Sequence, residues 1–196
     1  MKNFPLNLSF KIVALAPQIS LTDANGRLLF YVKQKLFKLK EAITVYADES
    51  QSQPLYYINA NKILDFSAAY TFTDTNGNTI GSVRRQGMKS LWKSHYAIHN
   101  HADIHILTIR EANPWIKVLD SLVGEVPVLN LFTGYFLHPS YHITREGDTP
   151  EIIIEKQAAF FEGKFTIEKP GNISEKEELP VLLSIIMMVL LERNRG

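Results

Sequence analysis

The chain has 196 residues, of which 45% are apolar, enough to bury the core of one ordinary domain spanning residues 1–196. Lys and Arg number 21 against 20 Asp and Glu, so the formal net charge of +1 argues against a nucleic-acid binder driven by bulk charge. The absence of cysteine excludes disulfides, thiolate metal sites, a cysteine nucleophile and S-acylation, and fits a cytoplasmic location.

Ala14-Leu15-Ala16 imitates a signal-peptidase site. The stretch before it carries Asn3, Pro5, Asn7, Ser9 and Lys11, so it lacks the hydrophobic region of an export signal. Asn7-Leu8-Ser9 and Asn172-Ile173-Ser174 match the glycosylation triplet, which carries no weight without export.

The first turn signal is Asp23-Ala24-Asn25-Gly26, and Asp74-Thr75-Asn76-Gly77 repeats it at an offset of 51 residues. Asn-Gly predicts a type I′ hairpin turn with two positive-φ positions. The correspondence continues through Val32 with Val83, Lys33 with Arg84 and Lys38 with Lys89. Strands are predicted over residues 27–33 and 79–85, each followed by a basic bend and a further strand. The pattern reads as a duplicated antiparallel meander, with copies around residues 23–48 and 74–99.

Asn113-Pro114 supplies a helix cap and a proline at the first helical position. Trp115, Val118, Leu119 and Leu122 then recur at helical spacing, and Gly124 stops the pattern. The apolar run 126–137 reads as a short helix or buried loop. Strands are predicted at 140–145, 151–156 and 160–168.

The most apolar segment is Leu179 to Leu191, 13 residues long. At about 1.5 Å per residue it reaches roughly 20 Å, short of the ~30 Å of a bilayer core. No transmembrane segment is therefore predicted. Being apolar on every side, this helix must be enclosed by protein. Ser174-Glu175-Lys176-Glu177 forms a capping box ahead of it, and Pro180 is expected to kink it or delay its start. Many antiparallel strands and one all-apolar helix predict a mainly β, α+β fold: a barrel wrapped around that helix.

The run Asp74 to Arg85, followed by Lys89-Ser90-Leu91-Trp92, a strand around Tyr96 and the apolar C-terminal helix, resembles the tubby-like fold. The resemblance is to its LURP-one-related and phospholipid-scramblase-like group. It implies a closed antiparallel β-barrel of about twelve strands around a buried hydrophobic C-terminal helix. It implies no enzyme chemistry and no cofactor. The chain departs from the scramblases in lacking a cysteine cluster, a proline-rich N-terminal extension and a C-terminal calcium-linked segment, so scrambling activity is not carried over. Tubby proteins bind phosphoinositides through basic residues on the barrel, and the same kind of ligand is the expectation here.

His99, His101, Asp103 and His105 alternate by two and would share one face of a straight strand, as a zinc set requires. Asn100 to Asp103 instead reads as a hairpin turn, which breaks that face, so no metal site is predicted. His138 and His142 flank Pro139 and read as strand-boundary residues. There is no G-x-S-x-G, P-loop or G-x-G-x-x-G, and no catalytic residue is nominated. Asp23 and Asp74 do not open calcium loops, because glycine stands at the fourth position and not the sixth.

The basic residues are the functional candidates. Lys33, Lys35, Lys38 and Lys40 follow the first hairpin; Arg84, Arg85, Lys89 and Lys93 follow the second. Of these, Lys33, Lys38, Arg84, Arg85, Lys89 and Lys93 are the expected ligand-binding residues, although alternation puts Arg84 and Arg85 on opposite faces. The expectation is a non-enzymatic module, peripheral to a membrane, for an anionic phospholipid headgroup of phosphoinositide type. The alternative is a protein-interaction or scaffold domain with no lipid ligand, exposing an apolar patch around Trp92 or Phe132 to Phe136. A nucleic-acid partner is weaker, resting only on Trp92 beside Lys89 and Lys93 as a base-stacking group.

Overall fold

The computed structural model describes residues 2–11, 18–33, 42–61, 69–86, 95–112, 140–145, 147, 149–157 and 162–193. Among them are β1 (Leu6–Lys11), β2 (Gln18–Thr22), β3 (Leu28–Lys33), β4 (Ile43–Tyr46), β5 (Pro54–Ala60) and β6 (Ala69–Asp74). The second half adds β7 (Thr79–Arg85), β8 (His95–Asn100), β9 (His105–Glu111), β10 (Ser140–Thr144), β11 (Pro150–Gln157) and β12 (Glu162–Glu168), and then α1 (Glu175–Arg193). The helix expected after Asn113, the apolar run 126–137 and His138 lie outside the described residues.

Every strand pairs antiparallel with its neighbours in sequence, and β1 closes the ring onto β12. Closure removes the exposed edges that an open sheet must protect. Alternation does the rest. Leu6, Leu8 and Phe10 of β1, Ile19 and Leu21 of β2, Phe72 of β6, Ile98 of β8 and Ile152 and Ile154 of β11 all point inward and are buried.

α1 fills the interior. Val181 to Leu190 are ten consecutive residues, none more than 5% exposed. Ser184, the polar member of that run, donates its hydroxyl to the Pro180 carbonyl at 2.7 Å. The helix starts at Glu175 and runs through Pro180, so the proline does not delay it. Pro180 lacks the N–H that would bond to the Lys176 carbonyl, a local loss that the surrounding packing offsets. The Ser174 N–H donates to Glu177 Oε2 at 2.9 Å, the back-bond of the predicted capping box. Arg145, just past β10, grips the same carboxylate through two nitrogens at 2.8 and 3.2 Å. That guanidinium, with help from Ser174, holds the Glu177 carboxyl down at about 2. Acid in the first turn also suits the positive end of the helix dipole. No helix among the described residues is long and apolar enough to cross a membrane.

The hairpin turns differ in type from the expectation. Gly26 has φ of 79° and Gly77 of 85°, whereas neither Asn25 nor Asn76 has positive φ. The Asp23 carbonyl accepts from the Gly26 N–H at 2.9 Å, and the Asp23 N–H donates to the Arg27 carbonyl at 3.0 Å. This is a three-residue loop, a turn followed by one left-handed residue, and it makes a bulge. The Asp23 side chain secures it by accepting the N–H groups of Asn25 and Arg27 at 3.0 Å each. Asp74 repeats the arrangement with Asn76 and Asn78 at 2.9 and 2.8 Å. Asn100 repeats it again with Ala102 and Ile104, both at 3.0 Å. At Asp48 the left-handed position falls to Gln51, with φ of 62°, and in the Asn100 loop to Asp103, with φ of 61°. The pairing register shifts beside each of these loops, and once more beside Gly147. All five bulged hairpins fall at the end of the barrel where α1 begins. A bulge bends a strand and increases its twist, which a closing sheet needs.

One contact ties the wall to the helix. A Cβ added at Gly81 of β7 would meet the His99 carbonyl oxygen at 2.5 Å and the Pro180 Cβ at 3.0 Å. The first neighbour is backbone and cannot swing aside. Gly81→Val is therefore expected to destabilise the protein by about 2 kcal/mol or more in a denaturant titration, the range for overpacking a dense core. A change under about 0.5 kcal/mol would show that Gly81 is not packed this closely against the His99 carbonyl and Pro180.

Candidate functional site

Strand direction alternates around the ring, so β3 and β7 run the same way. Lys33 and Arg85 close those two strands and therefore lie on the same rim. It is the rim opposite the bulged hairpins and the one where α1 ends: Tyr96, level with Arg85, donates its hydroxyl to Glu192 at 2.5 Å. Three strands stand between β3 and β7. At about 4.8 Å per strand step, Lys33 and the arginine pair are roughly 19 Å apart along the wall. The two expected clusters share a rim but do not converge on one pocket. Lys35, Lys38, Lys40, Lys89 and Lys93 fall outside the described residues, as do Trp92 and Phe132 to Phe136. Their places in the sequence are the segments joining β3 to β4, β7 to β8 and β9 to β10.

Arg84 and Arg85 point to opposite faces. Arg85 has inward parity, opposite the buried Tyr96. It lies near Tyr70, whose hydroxyl burial pushes up and the positive charge of Arg85 draws back down. Arg84 lies on the outer wall, level with Ala97, and reaches along β8 to Asp103 in the next hairpin. Its Nη2 donates to both oxygens of that carboxylate, to Oδ2 at 2.6 Å. About half of each side chain is solvated, so water screens the pair and it contributes little to stability. Asp103 is 19 residues from Arg84, and only the strand register brings them together.

The same register gathers two of the histidines. His99 of β8 lies opposite His105 of β9, with ring centroids 5.6 Å apart. The turn was expected to split the histidine face; instead it folds His105 back beside His99. His105 Nε2 lies 2.9 Å from the Thr108 hydroxyl. Ser82 of β7 is opposite His99 on its other side. Ser82 Oγ and His99 Nδ1 are buried and find no partner among the described residues. No group of three His, Asp or Glu side chains among the described residues is arranged to hold a metal ion.

The sequence model of the LURP-one-related family matches residues 28–172. The chain belongs to the LURP-one-related family. No curated protein sequence matches the chain. Among solved structures, it is similar to an X-ray structure of a protein from Arabidopsis thaliana at 12% identity. That similarity covers 98% of this chain and 93% of the other, with a TM-score of 0.49.

Burial first, and then the charge of Arg84, hold the His99 imidazole below the ordinary histidine value of 6.5; Asp103 pulls it back up. Since the unfolded chain takes up a proton on His99 more readily than the native one does, native stability falls as pH drops through 6.5. Histidine ring NMR titration should find His99 below 6.5, raised in Arg84→Gln and lowered further in Asp103→Asn. An unchanged His99 titration in both variants would mean that the Arg84–Asp103 pair does not lie over the ring.

Proposed function

We propose that the chain is a non-enzymatic, cytoplasmic module that docks peripherally on anionic phospholipid membranes, with phosphoinositide-type headgroups as ligands. The observation that carries this reading is the shared rim of Lys33 and Arg85. Lys38, Lys89 and Lys93 lie in the sequence just after the strands that Lys33 and Arg85 close, and they are proposed to complete the same basic rim. Their spread fits a surface carrying many headgroups better than a single headgroup in a pocket. A basic residue held near an anionic membrane contributes about 1 kcal/mol, so several are needed together. Membership of the LURP-one-related family agrees with a binding role and brings no catalytic motif with it.

Vesicle co-sedimentation across a salt series tests the reading. Vesicles containing phosphatidylserine or phosphoinositide should carry the protein down at low salt, and neutral phosphatidylcholine vesicles should not. High salt should release it. The double variant Lys33→Glu/Arg84→Glu, checked for native circular dichroism, should lose about tenfold or more in partitioning. Equal binding to neutral and anionic vesicles, or none to either, would remove the lipid reading and leave a protein-interaction domain in its place.

A further inference from the structure

The bulged hairpin between β8 and β9 brings two imidazoles together on the outer wall. His99 points to the outer side, since Ile98 next to it is buried in the core. The register shift at that position leaves His105 opposite His99, with ring centroids 5.6 Å apart and the rings tilted at 57°. Every residue of the two strands and of the turn between them is described.

The two rings are held differently. His99 is buried, and its Nδ1 is closed off from solvent with no hydrogen-bond partner among the described residues. The Ser82 hydroxyl on the neighbouring strand does not supply one, being buried and unpartnered itself. Burial and the charge of Arg84 keep the His99 ring neutral near pH 7, so no proton has to leave it. His105 is exposed, and its Nε2 lies 2.9 Å from the Thr108 hydroxyl. With Nε2 donating to Thr108, the lone pair of the neutral His105 ring is at Nδ1. A partner on the far nitrogen is how proteins fix the tautomer and the aim of a metal-binding imidazole. The charge of Arg84, which alone would repel a cation, is matched by Asp103, to both of whose carboxylate oxygens it donates.

We propose that His99 and His105 form a two-imidazole site for a divalent transition-metal ion, Zn²⁺ or Cu²⁺. An ion about 2.0–2.1 Å from a nitrogen of each ring, at a near-tetrahedral angle, puts the ring centroids roughly 5 Å apart. The observed 5.6 Å needs only a small turn of the exposed His105 ring. No third His, Asp or Glu among the described residues completes the set, so water takes the remaining positions, as in an open site. Imidazole donors suit zinc and copper, whereas magnesium and calcium require oxygen. The site rests on the pairing of β8 with β9 and does not depend on the basic rim.

Zn²⁺ titrated into the intact protein, followed by histidine ring NMR, tests the proposal. The His99 and His105 signals should move together at one midpoint, with Nδ1 as the metal-bound nitrogen of both, while His142 stays in place. Mg²⁺ should move neither ring, and Cu²⁺ should displace Zn²⁺. His105→Gln, at an exposed position that leaves the core intact, should weaken Zn²⁺ binding by about tenfold or more, at least the cost of losing an outer-shell partner. His101→Gln, in the turn, should leave the midpoint unchanged. A His105→Gln variant that binds Zn²⁺ as the parent does would overturn the proposal. So would a response at His101 or His142 without one at His99, or no response of either ring to Zn²⁺.

Discussion

A helix that is apolar on every side cannot rest on a surface, and in this protein that constraint organises everything else. Val181 to Leu190 present side chains in all directions, and each large one gains roughly 1.5–3 kcal/mol only if it leaves water completely. A single sheet covers one side of a helix. A closed barrel covers all of them. Twelve strands give a ring wide enough to take a helix, where a smaller barrel would be filled by its own side chains. The price is precision at close approaches, seen where Gly81 of β7 leaves just enough room for Pro180.

The two ends of the barrel follow from the same closure. At the end where α1 enters, short bulged loops turn the strands, and Arg145 pins Glu177 in the first helical turn. At the other end most connections are longer, and Lys33 and Arg85 stand at the strand ends beside the end of the helix. Among the described residues, side-chain hydrogen bonds hold the turns at the first end, and Lys33 and Arg85 stand at the second. This division lets the rim and the outer wall vary in charge without disturbing the core, as expected when binding residues are carried on a rigid scaffold.

The fold was largely legible because its strongest signals are compositional and local. The capping box at Ser174 and the apolar run after Pro180, broken only by Ser184, locate the helix, and the fold follows from having to enclose it. The two Asn-Gly turns were also legible, but as the wrong type: only the glycine takes the left-handed position, and Asp23 and Asp74 carry the loop geometry. The turn at Asn100 uses the same side-chain bonds without a glycine, and the Asp48 carboxylate accepts the Ser52 and Gln53 N–H groups instead. An aspartate or asparagine recurring every 25 or 26 residues at the head of each loop was the signal that could have found them. The outer-wall groups were not legible. Arg84 meets Asp103 and His99 meets His105 only through strand register, and no local pattern encodes a neighbour on another strand.

The enclosed helix is the claim on which the rest depends, and native-state amide hydrogen exchange addresses it most directly. The amides of residues 181–190 should be among the slowest in the protein and should exchange only with global unfolding, their rates falling in step with measured stability. Exchange of these amides within seconds, while the strands stay protected, would show that the helix lies outside the barrel and would contradict the account.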